Sequence, residues 1–420
     1  MKLHLLLLSL ATALSAMAQT TREEVYADLN KAGGVYYAYP VTESVNTPAP
    51  KGYKPFYISH YGRHGSRYLI SDRDYDAVLL PMREANIHGK LTPQGEEALA
   101  LAERVWLEAE GRGGDLTPLG VRQHKGIARR MYKAFPEVFA GDAPVSARST
   151  TVMRCALSMD AFCEALKEEN PGLDITREAS NRYMNYLNYH SPESNAYTGD
   201  RGPWREEYRK FERSHVNPGR LMTALFNDSA YVHKHVNPEA LMWGLYWMAA
   251  DQQNIETPGS FLGLFTPEEM FDMWQIVNYG FYVRDSNYPG NQGLVLGNTK
   301  ALLRNIIESA DSAIAQGGNS ATLRFGHDGN LIPLAGMLQL KDTYNQEWDP
   351  AKFYTAFSDF KIAPMAGNIQ MVFFRNPKKP DADILVKFML NERETSIPVD
   401  TDIYPFYRWE DVRRFYAGKL

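Results

Sequence analysis

The chain has 420 residues, of which 44% are hydrophobic and 23% are charged, an ordinary composition for a globular protein. Its formal net charge of -5, with no dominant basic run, argues against a nucleic-acid partner. The length exceeds that of one simple core, so two lobes, or one domain with a large insertion, are expected.

The N-terminus has the pattern of a targeting segment. A short charged start, Met1-Lys2, precedes an apolar run from Leu5 to Leu8 and an alanine-rich stretch that ends in Ala16-Met17-Ala18. This segment is too short to span a bilayer as an anchor, and it ends in an A-x-A cleavage site. It predicts a signal peptide over residues 1–18, cleaved before Gln19, and hence a periplasmic or secreted protein without a membrane anchor. The alternative is a non-cleaved anchor.

The first motif with chemical content follows a predicted strand over residues 55–61. The strand ends in Gly62, and Arg63, His64 and Arg67 follow it closely. Guanidinium groups present bidentate donors that match phosphate oxygens, and histidine can act as a nucleophile towards a substrate held in line with it. Gly65 would let the backbone approach the ligand. The pattern predicts a phosphate site built on a nucleophilic histidine; the alternative is a basic surface loop with a buried, hydrogen-bonded histidine. His60, on the strand itself, is expected to be a structural hydrogen-bonding residue.

Two later segments, residues 89–95 and 114–120, are near copies with the pattern Gly-x-Leu-Thr-Pro-x-Gly. Each places a threonine cap before a proline at the first helical position. They predict helices over residues 93–110 and 118–132.

A further helix is expected to begin after residues 145–150. Apolar residues recur there mostly at spacings of 3 and 4: Val152, Ala156, Met159, Phe162, Cys163 and Leu166. Ser149 or Thr150 could cap this helix. Arg154 would lie about one turn in, where both its guanidinium and the helix dipole would attract an anion. The alternative is an exposed helix arginine.

The sequence contains two cysteines, Cys155 and Cys163, on this predicted helix. Eight residues of helical rise separate them by about 12 Å, too far for a disulfide bond. Both are expected to be packed thiols.

Residues 173–315 change in character, since strands become hard to find and helices are predicted over residues 238–252, 267–281 and 299–315. This region is interpreted as a largely helical insertion that forms a second lobe. Its inner face would form the far wall of the cleft and select the substrate. The two flanking segments, residues 19–172 and 316–420, would together form an α/β catalytic domain.

The second motif lies in residues 320–330 and repeats the layout of the first: a strand, a glycine and then charged groups. His327 and Asp328 stand at the strand end, and Asp328 is the type of group that can protonate a leaving oxygen. Asn330 could cap a helix over residues 331–338, with Pro333 in its first turn. Residues 368–374 and 384–390 read as a strand pair. Together these elements predict a doubly wound α/β sheet, in which ligands bind beyond the carboxyl ends of the strands, where both motifs fall.

The two motifs together resemble a known family. Arg63-His64-Gly65-Ser66-Arg67, followed far downstream by Gly326-His327-Asp328, resembles the histidine phosphatase superfamily in its branch of acid phosphatases and phytases. The Arg67-Tyr68 and Arg154-Cys155 pairs are most similar to the multiple inositol polyphosphate phosphatases. The resemblance covers about residues 53–340. One departure is that those enzymes usually carry His-Ala-Glu where this chain has His327-Asp328-Gly329, the pattern of bacterial phytases and general acid phosphatases.

The resemblance implies roles for individual residues. His64 would be the nucleophile that forms a phosphohistidine. Arg63, Arg67 and His327 would bind the phosphate oxygens. Asp328 would protonate the leaving alkoxide and then, as a carboxylate, take a proton from the attacking water.

A third phosphate-binding arginine is also implied by the resemblance. Arg154 matches its position better, and Arg148 is the reserve. Three arginines could replace a metal clamp, so neither a metal nor another cofactor is expected. An acid that must be protonated favours mildly acidic pH.

The predicted function is that of a histidine acid phosphatase acting on small phosphomonoesters, with inositol polyphosphates such as phytate as the favoured substrate. One alternative is a general acid phosphatase or sugar-phosphate phosphatase with the same mechanism. Another is a non-catalytic protein that binds a phosphate ligand. Further substrate phosphates could bind to basic residues outside the motifs: Arg73, Lys90, Arg122 and Arg201.

Overall fold

The computed structural model describes residues 21–41 and 46–420. The predicted signal peptide over residues 1–18, with its cleavage point before Gln19, lies outside the described residues. No helix in the described ranges is both long enough and apolar enough to cross a membrane.

A mixed sheet of eight strands forms the centre of the described part. The strands are Lys54–Arg63 (β1), Pro144–Ser149 (β2), Asp174–Ala179 (β3), Ala321–Gly326 (β4), Asn368–Arg375 (β5), Leu385–Leu390 (β6), Arg393–Thr395 (β7) and Phe406–Arg408 (β8). Their order is β3-β2-β4-β1-β5-β6-β7, and β8 pairs with β6. The first four in this order are mutually parallel, whereas β5 to β8 pair in antiparallel fashion. The predicted strands over residues 55–61, 368–374 and 384–390 are confirmed.

Helices cover the sheet and build the rest of the protein. The α-helices are Thr21–Ala27 (α1), Asp72–Ile87 (α2), Pro93–Ala109 (α3), Pro118–Ala134 (α4), Met153–Glu169 (α5), Met184–Leu187 (α6), Pro192–Thr198 (α7), Arg205–His215 (α8), Gly219–Leu225 (α9), Ser229–His235 (α10), Pro238–Asp251 (α11), Pro267–Asp285 (α12), Leu294–Gly297 (α13), Lys300–Gln316 (α14), Asp328–Leu338 (α15), Phe353–Ala356 (α16), Asp359–Ile362 (α17) and Trp409–Ala417 (α18). Short 3-10 segments are Leu29–Tyr36, Pro136–Phe139, Asn181–Tyr183, Gln252–Asn254, Leu262–Leu264, Pro289–Asn291 and Pro350–Lys352.

The two faces of the sheet are covered by different helices, as expected for strands that are buried on both sides. On one face, α4 and α5 contribute to a core with Ile58, Leu323 and Phe325. On the other face, the buried Arg324 of β4 donates a hydrogen bond to Asn305 of α14, and Trp409 of α18 packs edge-on against Phe373 of β5. Helices on both faces of a mixed sheet with four parallel strands make this a doubly wound α/β architecture, which confirms the predicted fold class.

The paired helix starts are also confirmed. The Thr92 hydroxyl accepts a hydrogen bond from the Gly95 amide at 3.1 Å, and the Thr117 hydroxyl accepts one from the Gly120 amide at 3.2 Å. Each threonine thereby satisfies an amide that the first helical turn leaves without a partner.

Two other capping predictions are wrong. Helix α5 begins at Met153 after Val152, without a side-chain cap, because Ser149 still belongs to β2. Helix α15 begins directly after the strand end, at Asp328, so Asn330 lies inside it rather than capping it. Pro333 is therefore the sixth residue of the helix and lies beyond its first turn.

Two observations concern the predicted boundary between the α/β catalytic domain and the helical insertion. Strand β3, which the sequence did not predict, pairs with β2 and so adds the first residues of the 173–315 range to the sheet. Helix α2 packs against α11, where Gly244 lies against Val78. Helices from before and after β2 thus share one core. The division into residues 19–172 with 316–420 and a helical lobe over 173–315 stays a prediction.

Candidate active site

The two sequence motifs meet because their strands are direct neighbours. Strands β1 and β4 are parallel and end in register, with Arg63 opposite Gly326. The chain leaves both strands at the same edge, and the His64 amide donates a hydrogen bond to the Gly326 carbonyl at 3.0 Å. The His64 and His327 ring centroids are 5.8 Å apart. Residues far apart in sequence are therefore side by side at the carboxyl end of the sheet.

The His64 side chain is held in one tautomer. Its Nδ1 lies 2.9 Å from the Gly65 carbonyl oxygen, which can only accept, so Nδ1 carries the proton. The Nε2 atom is then left with its lone pair. Burial, followed by the charges of Arg63, Arg67 and Arg154, lowers the pKa of His64 well below its usual value. The imidazole is consequently neutral, the state a nucleophile needs.

Two of the predicted phosphate-binding arginines are held by neutral groups around them. Arg63 is fully buried, and its Nη1 donates to the carbonyls of Val35 and Ala363, the latter at 2.8 Å. Arg67 donates from Nη1 to the Tyr36 hydroxyl at 3.0 Å, and its guanidinium carbon lies 4.6 Å from the centroid of the Tyr36 ring. These contacts fix both guanidinium groups through uncharged partners, and Arg63 forms an ion pair with Asp328 as well.

Arg154 lies near the start of α5, on the same side of the sheet edge. Its Nη1 donates to the Gly114 carbonyl at 3.4 Å, and its charge acts on His64. The Nε–H groups of Arg154, Arg63 and Arg67 are all buried without a hydrogen-bond partner in the described part of the chain. Because buried donors without partners are costly, an anion bound beside these three guanidinium groups would offset that cost by accepting from them.

Arg148, the reserve candidate, is engaged elsewhere. Its Nε lies 3.5 Å from a Glu178 carboxylate oxygen, and its Nη1 donates to the Tyr186 hydroxyl at 3.3 Å. Its guanidinium also lies over the Tyr183 ring, with 4.4 Å from its carbon to the ring centroid. The structure therefore brings Arg154, and not Arg148, to the group of arginines around His64.

His327 is the second histidine at the strand ends. Its Nε2 lies 3.2 Å from the Thr150 hydroxyl oxygen and 3.7 Å from the sulfur of the buried Cys155. Burial, aided by the charges of Arg154 and Arg63 and opposed by that of Asp328, lowers the pKa of His327 to about 4. The ring is therefore neutral near pH 7 and can donate one hydrogen bond to an oxygen.

Asp328 is the first residue of α15 and faces Arg63. One carboxylate oxygen lies 2.8 Å from Nη2 of Arg63, and the other accepts from the Gly329 amide at 2.9 Å. Burial raises the pKa of this carboxyl, but Arg63, His327 and Arg67 outweigh burial, so the pKa is lowered overall. With no substrate bound, Asp328 is a carboxylate.

Two interpretations of individual residues change. A Cβ on Gly65 would lie 2.6 Å from the backbone of Gly120, so this glycine is needed where the motif loop meets α4; its approach to a ligand stays a prediction. His60 is expected from the sequence to be a structural hydrogen-bonding residue, but its Nδ1 has no partner in the described part of the chain; its ring packs against those of Phe162 and Phe325, each with its centroid 5.3 Å away.

Other residues of the site were missed by the sequence reasoning. The segment Leu29–Tyr36 supplies both the Tyr36 hydroxyl and the Val35 carbonyl. Asn254 accepts from the Ser66 hydroxyl at 2.6 Å and donates to the Tyr36 carbonyl at 2.8 Å, which ties the motif loop to this segment. Backbone carbonyls and buried amides leave no motif in a single sequence, so only the fold reveals them.

Two of the basic residues considered for further phosphates already have acidic partners. Lys90 pairs with Asp228 at 2.8 Å, and Arg122 pairs with Glu256 at 2.6 Å. Within residues 21–41 and 46–420, no group of three or more His, Cys, Asp or Glu side chains is arranged to hold a metal ion.

Comparison with known families identifies the chain. Residues 62–391 match the histidine phosphatase superfamily (branch 2). The chain belongs to this superfamily. It is accordingly a histidine acid phosphatase by class, an enzyme that hydrolyses phosphomonoesters.

Individual relatives of this histidine phosphatase have inositol phosphatase or phytase names. Multiple inositol polyphosphate phosphatase 1 of Gallus gallus is 22% identical over 400 residues, covering 88% of this chain and 83% of the relative. The Bifidobacterium longum multiple inositol polyphosphate phosphatase, solved with inositol hexasulfate, superposes with a TM-score of 0.71 at 18% identity, covering 93% and 98% of the two chains. The phytase from D. castellii superposes with a TM-score of 0.69 at 15% identity, covering 93% and 85%. These superpositions establish the shared fold.

Proposed function

We propose that this histidine phosphatase hydrolyses inositol polyphosphates, with phytate as the favoured substrate, through a phosphohistidine formed on His64. One observation carries the mechanism: a buried neutral imidazole presents a free Nε2 lone pair beside three arginines that keep unpaired Nε–H donors. An anion with several acceptor oxygens would satisfy these donors, and its electrophilic phosphorus would then be held next to the nucleophile.

The first step transfers the phosphoryl group to the enzyme. The Nε2 lone pair of His64 forms a bond to phosphorus, and the bond from phosphorus to the ester oxygen breaks with its electron pair on that oxygen. Arg63, Arg67, Arg154 and His327 donate to the non-bridging oxygens, where negative charge is concentrated. Asp328 supplies the proton that converts the leaving alkoxide into an alcohol.

The second step releases phosphate. A water oxygen forms a bond to phosphorus while Asp328, now a carboxylate, takes a proton from that water. The bond between phosphorus and Nε2 breaks and its electron pair returns to His64. Because the carboxyl pKa of Asp328 is low without substrate, the bound phosphate must raise it through its own negative charge before the first step.

The proposed preference for inositol polyphosphates is supported by the similar proteins, which are named as inositol polyphosphate phosphatases and phytases. A general acid phosphatase or sugar-phosphate phosphatase is the second candidate. It is favoured by the His327-Asp328-Gly329 motif and by the ion pairs that engage Lys90 and Arg122, which leave fewer cations for additional phosphates.

We further propose that the protein is exported to the periplasm or secreted after cleavage before Gln19. The support is the charged start, apolar run and A-x-A pattern of residues 1–18. N-terminal sequencing of the protein recovered from periplasmic and culture fractions tests this. A mature N-terminus at Gln19 is expected, and a chain retained in the cell with Met1 intact would contradict the proposal.

The activity is tested by phosphate release at about pH 5, without added metal, from phytate and from an aryl phosphate. Wild type and His64→Ala are compared, and a covalent phosphoryl adduct is sought after acid-free quenching. Turnover of phytate by wild type only, with an adduct, is the expected result. Turnover of the aryl ester alone would keep the mechanism and favour the second candidate. Binding of phosphate without turnover or adduct would mean a non-catalytic binding protein.

A further inference from the structure

A second carboxyl group lies next to the proposed acid but belongs to neither sequence motif. Asp285 is the last residue of α12, a helix that is in contact with α15. One of its carboxyl oxygens lies 3.7 Å from the position that a Cβ on Gly329 would occupy, and Gly329 directly follows Asp328. The missing side chain at residue 329 therefore leaves open the space that the Asp285 carboxyl faces.

The two carboxyl groups lie at opposite ends of helices, and this gives them opposite electrostatic environments. Asp328 begins its helix, where the exposed amides and the positive end of the dipole stabilise a carboxylate. Asp285 ends its helix, where the negative end of the dipole disfavours one. Asp328 also has Arg63 at 2.8 Å, whereas Asp285 forms no ion pair or side-chain hydrogen bond within the described ranges.

The charged groups that act on Asp285 are Arg284 on its own helix and Asp328 on the facing helix. The Nε of Arg284 donates to the Gly280 carbonyl at 2.9 Å, and its guanidinium lies against the rings of Trp204 and Phe281. Burial, partly offset by Arg284 and reinforced by Asp328, raises the pKa of Asp285 to about 7. Below about pH 7, one neighbouring carboxyl is thus ionised and the other is mostly protonated. Such a separation of pKa values places the proton of the pair on Asp285 in the resting enzyme.

We propose that Asp285 is a proton-holding residue of the active site, which passes its proton to Asp328 when the substrate phosphate binds. The inference rests on the proposed function. The O–H bond of Asp285 breaks and its proton joins the Asp328 carboxylate, either directly or through one water. Asp328 then gives that proton to the leaving oxygen. After hydrolysis, the proton that Asp328 takes from the attacking water returns to Asp285, so the cycle closes without any other reactant.

This role solves a problem that Arg63 creates. Arg63 must be charged to bind phosphate, yet the same charge keeps Asp328 ionised in the resting enzyme. A neighbouring acid with a higher pKa keeps a proton inside the site, and this proton moves to Asp328 once the bound phosphate has raised the pKa of Asp328. Asp285 does not touch the substrate. It acts through Asp328, as a positioning residue that stores the proton which Asp328 will donate.

The test compares wild type, Asp285→Asn and Asp285→Glu on phytate and on an aryl phosphate between pH 4 and pH 8. Asp272→Asn is the matched control, since Asp272 is a half-buried aspartate on the same helix that accepts a hydrogen bond from Gln275. For Asp285→Asn, kcat on phytate is expected to fall at least about tenfold at pH 7, and this loss is expected to shrink towards pH 4, where solvent protonates a larger fraction of Asp328. The aryl ester, whose phenolate needs less help from a proton to leave than an alkoxide does, is expected to lose much less activity.

Two further results are expected if the inference holds. Asp285→Glu restores part of the phytate activity at pH 7, and Asp272→Asn retains the wild-type pH profile. In wild type, the difference infrared spectrum against Asp285→Asn contains the band of a protonated carboxyl group at pH 6, a readout that does not depend on turnover. An unchanged pH profile for Asp285→Asn, an equal loss on both substrates at every pH, or no protonated carboxyl band overturns the inference while leaving the proposed function in place. Absence of activity in wild type would instead contradict the proposed function.

Discussion

The carboxylate of Asp328 lies 2.8 Å from Nη2 of Arg63, at the ends of two neighbouring parallel strands. Arg63 is buried and is also held by two backbone carbonyls, so its position does not depend on the substrate. A fixed cation of this kind stabilises transition-state charge without reorganising during the reaction. The same cation keeps Asp328 deprotonated in the resting enzyme. We therefore expect the Arg63–Asp328 pair to determine how the activity depends on pH.

The Asp328→Asn variant is expected to lose activity selectively. An alkyl leaving group such as the inositol oxygen of phytate needs a proton, so kcat should fall on the order of 10²–10⁴-fold. An aryl phosphate should lose much less in the first step. Steady-state and burst kinetics with both substrates measure the difference. If the variant hydrolyses phytate at the wild-type rate, Asp328 is not the acid.

Arg154→Gln and Arg148→Gln form a matched pair, since both remove an arginine beside the same strand end. Removing Arg154 should lower kcat/KM on the order of 10²-fold, because one preorganised donor to the phosphate is lost. Removing Arg148 should change kcat/KM by less than about threefold, because its contacts are with Glu178, Tyr183 and Tyr186. The reverse ranking of the two variants would make Arg148 the third phosphate-binding arginine.

The free energy of unfolding should fall as the pH is lowered below about 6.5. Burial lowers the pKa of His60 and of His124 to about 3, with smaller contributions from neighbouring charges at His60. In the unfolded chain both bind a proton at a higher pH, so acid favours unfolding, by about 1.4 kcal/mol per pH unit for each histidine between these pKa values.

His124→Phe provides the variant for this prediction, because the ring already lies among Phe162 and Phe325. Urea unfolding at pH 6, 5 and 4 should give a pH slope smaller by about 1.4 kcal/mol per pH unit than that of wild type. The exposed His233→Gln is the control and should retain the wild-type slope. Equal slopes in His124→Phe and wild type would show that His124 is not kept neutral by the fold.

Gly65→Ala should lower the free energy of unfolding of the protein and disturb the loop that carries His64. The added methyl would lie 2.6 Å from the Cα and carbonyl oxygen of Gly120, and backbone cannot give way as a flexible side chain can. A loss of about 1–3 kcal/mol in the free energy of unfolding is expected, measured by urea titration. Gly263→Ala is the matched control, since nothing lies within 4 Å of its added methyl. Equal stability of the two variants would contradict this packing.

Cys155 and Cys163 should not react with a thiol reagent in the folded protein. Both are fully buried and unpaired, and burial raises the pKa of Cys155 to about 11 and that of Cys163 to about 12. Since the thiolate is the reactive form, labelling with an aromatic disulfide should require unfolding. Rapid labelling of native protein would contradict the burial of these thiols.

Much of the chemistry could be predicted from the sequence alone because it is local. The Arg63–Arg67 motif follows its own strand, and the Thr92 and Thr117 caps act within one helical turn. These features depend on neighbours a few residues away, and single-sequence patterns record such neighbours. The helix starts at Met153 and Asp328 were misplaced because strand ends, not local capping residues, decide where those helices begin.

The tertiary structure decided what depends on distant segments. Neighbouring parallel strands bring His64 and His327 together, and the first turn of α5 places Arg154, rather than Arg148, near His64. The sequence contains the acidic residues but not their environments. Asp328 lies at the positive terminus of one helix and Asp285 at the negative terminus of another, and only the packing of these two helices brings the termini together.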